Sequence, residues 1–230
     1  RWGMRSVAGW WNGVTAGDLD GDGRMDLVAT YWGRNHLYAS TSDGDRPTRI
    51  RYGDLDGDGD VQVIETYDGG TAAGEVPRRS FSMLWSEFPF IQDRVKTYEA
   101  FASSSIEEIF GGRLGESAMV EAAAFDHVVL LNRGGSFEVR PLPAEAQRAP
   151  AFHVSVADVD GDGNEDVVLS QNFFAYQLET PRSNAGLGLL LRGDGTGALR
   201  AVGAAESGVR VWGEQRGGAL GDVDGDEQRH

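Results

Sequence analysis

Asp18-Leu19-Asp20-Gly21-Asp22-Gly23-Arg24-Met25-Asp26 is the stretch whose reading decides the fold, because the chain writes it more than once. It returns as Asp54-Leu55-Asp56-Gly57-Asp58-Gly59-Asp60-Val61-Gln62 and as Asp158-Val159-Asp160-Gly161-Asp162-Gly163-Asn164-Glu165-Asp166. A fourth copy opens at Asp222-Val223-Asp224-Gly225-Asp226 and degenerates into Glu227-Gln228-Arg229-His230. Recurrence of this kind is the signature of a repeat architecture. The flanks recur too. Small or apolar residues lead in, as in Val14-Thr15-Ala16-Gly17, Ser155-Val156-Ala157 and Gly218-Ala219-Leu220-Gly221. β-Branched and apolar runs lead out, as in Leu27-Val28-Ala29-Thr30, Val63-Ile64-Glu65-Thr66 and Val167-Val168-Leu169-Ser170. Each unit reads as strand, acidic loop, strand.

Further strands follow in each unit. Val128 to Leu131 pairs with Phe137 to Arg140 across Asn132-Arg133-Gly134-Gly135, and Gly188 to Leu191 precedes the Gly-rich turn Gly193-Asp194-Gly195-Thr196-Gly197. The long gap between the second and third loops differs. Phe81, Leu84, Trp85, Phe88, Ile91, Val95, Tyr98, Phe101, Ile106, Ile109 and Phe110 fall three or four apart, which is helical spacing. Ser103-Ser104-Ser105 before Glu107 and Glu108 is a helix N-terminus signal. The expected fold is therefore all-β, with roughly three to four blade-like units and a small helical insertion at 80–110 whose apolar stripe packs on the sheets. Residues 1–230 read as one β-propeller region. Arg1 to Trp11 reads like the interior of a domain and the chain stops inside a motif, so the expectation is a piece of a longer protein.

The loops carry the chemistry. Carboxylates at positions 1, 3 and 5 converge if the loop curls, glycine at position 6 permits the turn, the position-7 carbonyl points inward, and position 9 adds a further oxygen. Several hard oxygens in a flexible ring suit Ca²⁺ better than Mg²⁺. The ligands expected are Asp18, Asp20, Asp22, the Arg24 carbonyl and Asp26 in loop 1, and Asp158, Asp160, Asp162, the Asn164 carbonyl and Asp166 in loop 3. Loop 2 offers Asp54, Asp56, Asp58, the Asp60 carbonyl and Gln62, an uncharged ligand in place of the last acid. Loop 4 offers Asp222, Asp224 and Asp226, but has Glu227 where glycine is expected. Asp54 to Glu65 also spells an EF-hand loop, yet its flanks read as strands, and Glu65 is matched by Ala29 and Leu169 in the other units.

Composition agrees. Asp and Glu outnumber Lys and Arg by 36 to 21, a formal net charge of −15, which disfavours nucleic acid and anionic membrane as partners. Much of that acid is packed into the four clusters, where mutual repulsion calls for a cation. There are no cysteines, hence no disulfides or thiolate metal sites. No apolar run is long enough to span a bilayer, and no signal peptide is visible.

With its three Asp-Gly-Asp-Gly loops, each followed by a strand, the chain resembles FG-GAP or VCBS-type repeat proteins, whose blades are shared with the integrin α-subunit propeller. Leu131-Asn132-Arg133-Gly134-Gly135-Ser136-Phe137 and Gly186 to Gly195 add to the resemblance, and Leu142-Pro143 to Pro150 is similar to large bacterial secreted proteins of this type. The resemblance implies β-propeller blades with a metal loop between the first strands, export and calcium. It leaves the partner open, because such folds serve adhesion, lectin-like and lyase roles. Three blades and a fragment are too few for the usual ring of ~4–8, so more sequence or another chain must complete one.

Catalytic motifs are missing. His36, His127, His153 and His230 share no metal-ligand spacing, and there is no His-Glu-x-x-His, Gly-x-Ser-x-Gly or phosphate loop. His127 and His153 read as structural. Arg192-Gly193-Asp194 falls in a repeat-type turn and reads as coincidence rather than an adhesion signal. Trp10, Trp11, Trp32, Trp85 and Trp212 read first as packing residues. Tyr31-Trp32-Gly33-Arg34-Asn35-His36 together with Asn172-Phe173-Phe174-Ala175-Tyr176 is the best candidate binding surface. The expectation is a non-enzymatic, calcium-stabilised extracellular, cell-surface or periplasmic module that binds a protein or glycan or joins a larger assembly. The rival is a polysaccharide lyase using Arg24, Arg34 and His36.

Overall fold

The computed structural model describes residues 7–39, 47–70, 74–176 and 180–221. In chain order the strands and helices are β1 (Gly13–Gly17), β2 (Asp26–Thr30), β3 (Thr48–Gly53), β4 (Gln62–Asp68), β5 (Glu75–Pro77), α1 (Phe81–Glu87), α2 (Ile91–Arg94), α3 (Tyr98–Ser103) and α4 (Ile106–Phe110). They continue as β6 (Ala118–Ala122), β7 (Val128–Asn132), β8 (Phe137–Pro141), β9 (Ala151–Ala157), β10 (Asp166–Gln171), β11 (Leu189–Gly193), β12 (Leu199–Val202) and α5 (Ala204–Ser207). The fold is mostly sheet, as its sequence pattern requires: three antiparallel four-stranded sheets of blade size, in the manner of a partial β-propeller.

The chain divides into two compact units, Arg1–Ala39 with Phe125–His230, and Ser40–Ala124. The first holds two sheets, β1-β2-β7-β8 and β9-β10-β11-β12. In the first sheet Leu27 pairs with Leu130, Val28 with Val129 and Ala29 with Val128. Successive side chains alternate between faces, so Val28 and Val129 turn one way and Ala29, Val128 and Leu130 the other. The first face meets Val154, Val167, Leu169 and Leu191 of the second sheet in the main core, which Leu19 and Leu142 join. The second face packs on Val7 and Tyr31. The two first strands, β1 and β9, run side by side: a Cβ on Gly13 would sit 2.9 Å from the Phe152 carbonyl oxygen, and one on Gly17 would meet Val156. Glycine is what lets these backbones approach.

β2 and β7 are sheet neighbours although the whole second unit is threaded between them in sequence. That unit has its own sheet, β5-β4-β3-β6, built on the β3–β4 hairpin that carries loop 2. The strands expected on either side of this loop are present as strands, which removes the EF-hand reading. The helical spacing of 80–110 is also realised, as α1 to α4. Their buried Phe81, Leu84, Ile91, Ile106, Ile109 and Phe110, with Phe88 at the end of α1, form one core with Leu55 and Ile64 of the hairpin. Ser105 caps α4 in a full capping box: its hydroxyl accepts from the Glu108 N–H, and the Glu108 carboxylate accepts from the Ser105 N–H.

Candidate metal centre

Each Asp loop is held by packing and by hydrogen bonds of its own. In loops 1 and 2 the position-2 side chain points inward, Leu19 into the main core and Leu55 into the helical core. The position-1 carboxylate then gathers the loop's own N–H groups. Asp18 accepts from Asp22 N (3.0 Å) and Gly23 N (2.9 Å). Asp54 accepts from Gly57, Asp58 and Gly59 N. Asp158 accepts from Gly161, Asp162 and Gly163 N. Position 5 accepts from the position-7 N–H in all three: Arg24 to Asp22 (3.0 Å), Asp60 to Asp58 (2.8 Å) and Asn164 to Asp162 (2.8 Å). The position-6 glycines Gly23, Gly59 and Gly163 all have φ near +90° or slightly below, the left-handed region that a side chain would strain.

This curl brings carboxylates together. Oxygens of Asp18, Asp20 and Asp22 lie within 4.8 Å of one another, as do those of Asp54, Asp56 and Asp58, and those of Asp158, Asp160 and Asp166. Each of the three groups could hold a metal ion. In loop 1 one atom speaks directly for this: Asp20 Oδ1 is buried and accepts no hydrogen bond, a costly state for a carboxylate oxygen that a cation would relieve. The residues of this loop therefore fit a hard divalent ion. Asp222, Asp224 and Asp226 lie outside the described residues.

Position 9 has a second duty that the sequence pattern did not reveal. Asp26 is buried, its Oδ2 accepting from Leu19 N (3.0 Å) and its Oδ1 from Asn132 N (2.7 Å), at the end of β7. Asp166 repeats this, with Val159 N (3.1 Å) and Gly193 N (2.9 Å), at the end of β11. Each acid staples the loop to the third strand of its sheet. Burial pushes both carboxyls above the ordinary carboxylate range, with the backbone donors pulling the other way. Gln62 keeps half of the arrangement: its Oε1 accepts from Leu55 N (2.7 Å), while its amide nitrogen donates to Asp56 and Asp58. The reason is local. β5 pairs with β4 only at Thr66, Tyr67 and Asp68, so no third-strand N–H stands opposite Gln62.

Arginines surround the loops. Arg133, in the turn after β7, reaches Asp20 Oδ2 and lies 3.7 Å from Asp22. Its hydrogen bond holds the Asp20 carboxyl below its usual range against the cost of burial. Arg24 pairs with Asp22 and donates to the Asn132 carbonyl oxygen. Arg192 Nε lies 2.6 Å from Asp160 Oδ2, and Arg113 donates to the Asp56 carbonyl oxygen (3.0 Å). The Arg192-Gly193-Asp194 tripeptide is thus engaged internally: Arg192 with Asp160, Gly193 N with Asp166, and Asp194 Oδ1 with Thr196.

The candidate aromatic surface does assemble, at the strand ends opposite the loops. Trp32 packs edge-on against Phe173 at 5.0 Å, with Tyr176 at 5.8 Å, and Arg216 lies 4.0 Å over the Phe152 ring. Trp10, Tyr38 and Phe125 continue the cluster. Asn172, at φ 82°, holds Phe173 there by bonding Gly186 and Gly213. Arg24 precedes β2 whereas Arg34 and His36 follow it, so these three are not one site; Arg34 is paired with Asp126 and His36 Nε2 lies 2.8 Å from the Gly33 carbonyl oxygen. His127 is structural, as its context suggested. It is buried, its Nδ1 accepts from Tyr31 N (2.9 Å), and its Nε2 lies 3.0 Å from the Ala149 carbonyl oxygen.

No characterised protein sequence and no solved structure matches the chain significantly. The FG-GAP repeat family matches residues 10–41, which hold β1, loop 1 and β2. Residues 10–41 are therefore similar to an FG-GAP repeat, and the same strand–loop–strand arrangement is built twice more among the described residues, around Asp54 and Asp158.

Proposed function

We propose that this chain is a non-enzymatic, calcium-stabilised module of an extracellular, cell-surface or periplasmic protein, and that it binds a protein or glycan or joins a larger surface assembly. The observation that carries the calcium reading is the convergence of three carboxylates in each of three loops of the same design. Asp18, Asp20 and Asp22 in loop 1, Asp54, Asp56 and Asp58 in loop 2, and Asp158, Asp160 and Asp166 in loop 3 would hold the ion, with position-7 carbonyls and waters completing the shell. Calcium there is structural: it neutralises the clustered charge and fixes the angle at which β1 leads into β2, and β9 into β10.

Extracellular calcium modules bind at ~10⁻⁴–10⁻³ M. Sites of that strength fill in a millimolar-calcium medium and stay empty in the cytosol, which supports placement outside the cell. No helix among the described residues is long and apolar enough to cross a membrane. Flow dialysis with radioactive calcium tests the reading. The expected result is saturable uptake with half-saturation below about 1 mM, reduced by Asp20→Ala and by Asp160→Ala; no uptake at several millimolar calcium would end it. The same protein incubated with acidic polysaccharides should release no unsaturated product absorbing in the ultraviolet.

A further inference from the structure

We propose that Arg133 sets the calcium affinity of loop 1, its guanidinium standing on Asp20 as an internal counter-cation with which the metal must compete. The inference rests on the calcium reading of that loop. Three observations carry it. Asp20 divides its two oxygens: Oδ2 takes Arg133, while Oδ1 is buried with no hydrogen-bond partner, and an oxygen of Asp20 lies within 4.8 Å of oxygens of Asp18 and Asp22. The Asp20 side chain is only 9 % exposed, so water does little of the screening. And Arg133 is held in place by its own surroundings. Its N–H closes the turn onto the Ser136 carbonyl oxygen (2.9 Å), and its Nη2 lies 3.0 Å from Glu138.

That last contact supplies an alternative partner. Glu138 can retain the guanidinium when a divalent ion takes over Asp20, so the exchange strands no charge. Loop 2 provides the internal contrast. Among the described residues no arginine is paired with Asp54, Asp56 or Asp58; Arg113 donates to the Asp56 backbone oxygen alone. A unit charge some 5 Å from a divalent ion, even at the dielectric of water, changes binding by about tenfold.

Calcium titration calorimetry on the full chain tests this, with wild type, Arg133→Gln, Arg133→Lys and Asp20→Asn compared. Asp20→Asn identifies the loop 1 component as the one that weakens or disappears. Arg133→Gln should tighten that component about tenfold and leave the others unchanged, while lowering the melting temperature in EDTA. Arg133→Lys keeps the charge but loses the fork, and should fall between; it also serves if Arg133→Gln does not fold. An unchanged loop 1 component in both arginine variants, with Asp20→Asn still losing it, overturns the inference and leaves the calcium reading intact. Absence of any calcium heat in wild type and variants alike overturns both.

Discussion

Asp26 places both carboxylate oxygens on backbone N–H groups, of Leu19 and of Asn132, inside a site closed to water. Asparagine has the same shape but one acceptor, so Asp26→Asn must turn an NH₂ toward an N–H. The expected cost is about 2–3 kcal/mol, read by urea unfolding in EDTA, where metal plays no part. Wild-type stability of that variant in EDTA would show that position 9 acts only through the metal. His127 makes the second prediction at this scale. Its Nδ1 is already an acceptor, so a second ring proton has no place to go, and burial lowers the pKa to about 4 from 6.5. The folded state therefore refuses a proton that the unfolded state takes. Stability is indifferent to this group above about pH 6.5, falls as pH drops from there toward 4, and levels off below; the full effect is about 3 kcal/mol. Measured in EDTA at pH 7.5 and pH 4.5, wild type should lose about 2–3 kcal/mol more than His127→Phe. The phenylalanine variant starts lower, because it orphans the Tyr31 N–H and the Ala149 carbonyl.

Strands and helices here are held by contacts that single substitutions can probe. Ser105→Ala removes one half of the α4 capping box and should cost about 1 kcal/mol in the second unit; no change in urea unfolding would mean that packing of Ile106, Ile109 and Phe110 alone fixes that helix. Gly13→Ala would press a methyl against the Phe152 carbonyl oxygen and the Thr30 hydroxyl, forcing β1 from β9 at a cost of about 1–3 kcal/mol; a neutral result would contradict the close approach of these strands. At this scale the sequence was easy to read wherever periodicity was strong. The Leu27–Thr30 and Val167–Ser170 runs, the apolar stripe of 81–110 and the Ser105 cap all announced themselves. β5 and β6 did not. Glu75–Pro77 is too short to carry a pattern, and Ala118–Ala122 is an edge strand with exposed side chains on both faces, so no alternation marks it. The staple at position 9 was hidden for another reason: a ligand pattern names the acid but not the N–H groups waiting for it, one of which lies on a strand more than a hundred residues away in sequence for Asp26.

In the whole molecule the uneven spacing of the loops has a topological cause. Loops 1 and 3 belong to sheets that share one core, β1 beside β9, whereas loop 2 belongs to a separate unit that interrupts the first sheet between β2 and β7. A repeat count taken along the sequence finds the three loops but not this nesting, because pairing of Leu27 with Leu130 depends on distant residues. Both units nevertheless depend on the same device, a carboxylate cluster whose repulsion is tempered by backbone N–H groups and, in loops 1 and 3, by arginine. A metal that binds only the folded state adds stability by mass action, about 1–3 kcal/mol per site at 10 mM calcium for dissociation constants of 10⁻³–10⁻⁴ M. The most direct measurement is thermal unfolding in EDTA and across a calcium titration, for wild type, Asp20→Ala and Asp160→Ala. The melting temperature should climb by several degrees with calcium, and by less in each variant. A melt that calcium does not move would mean that the three loops are acidic turns held by their own hydrogen bonds, and the calcium-stabilised module proposed here would be contradicted.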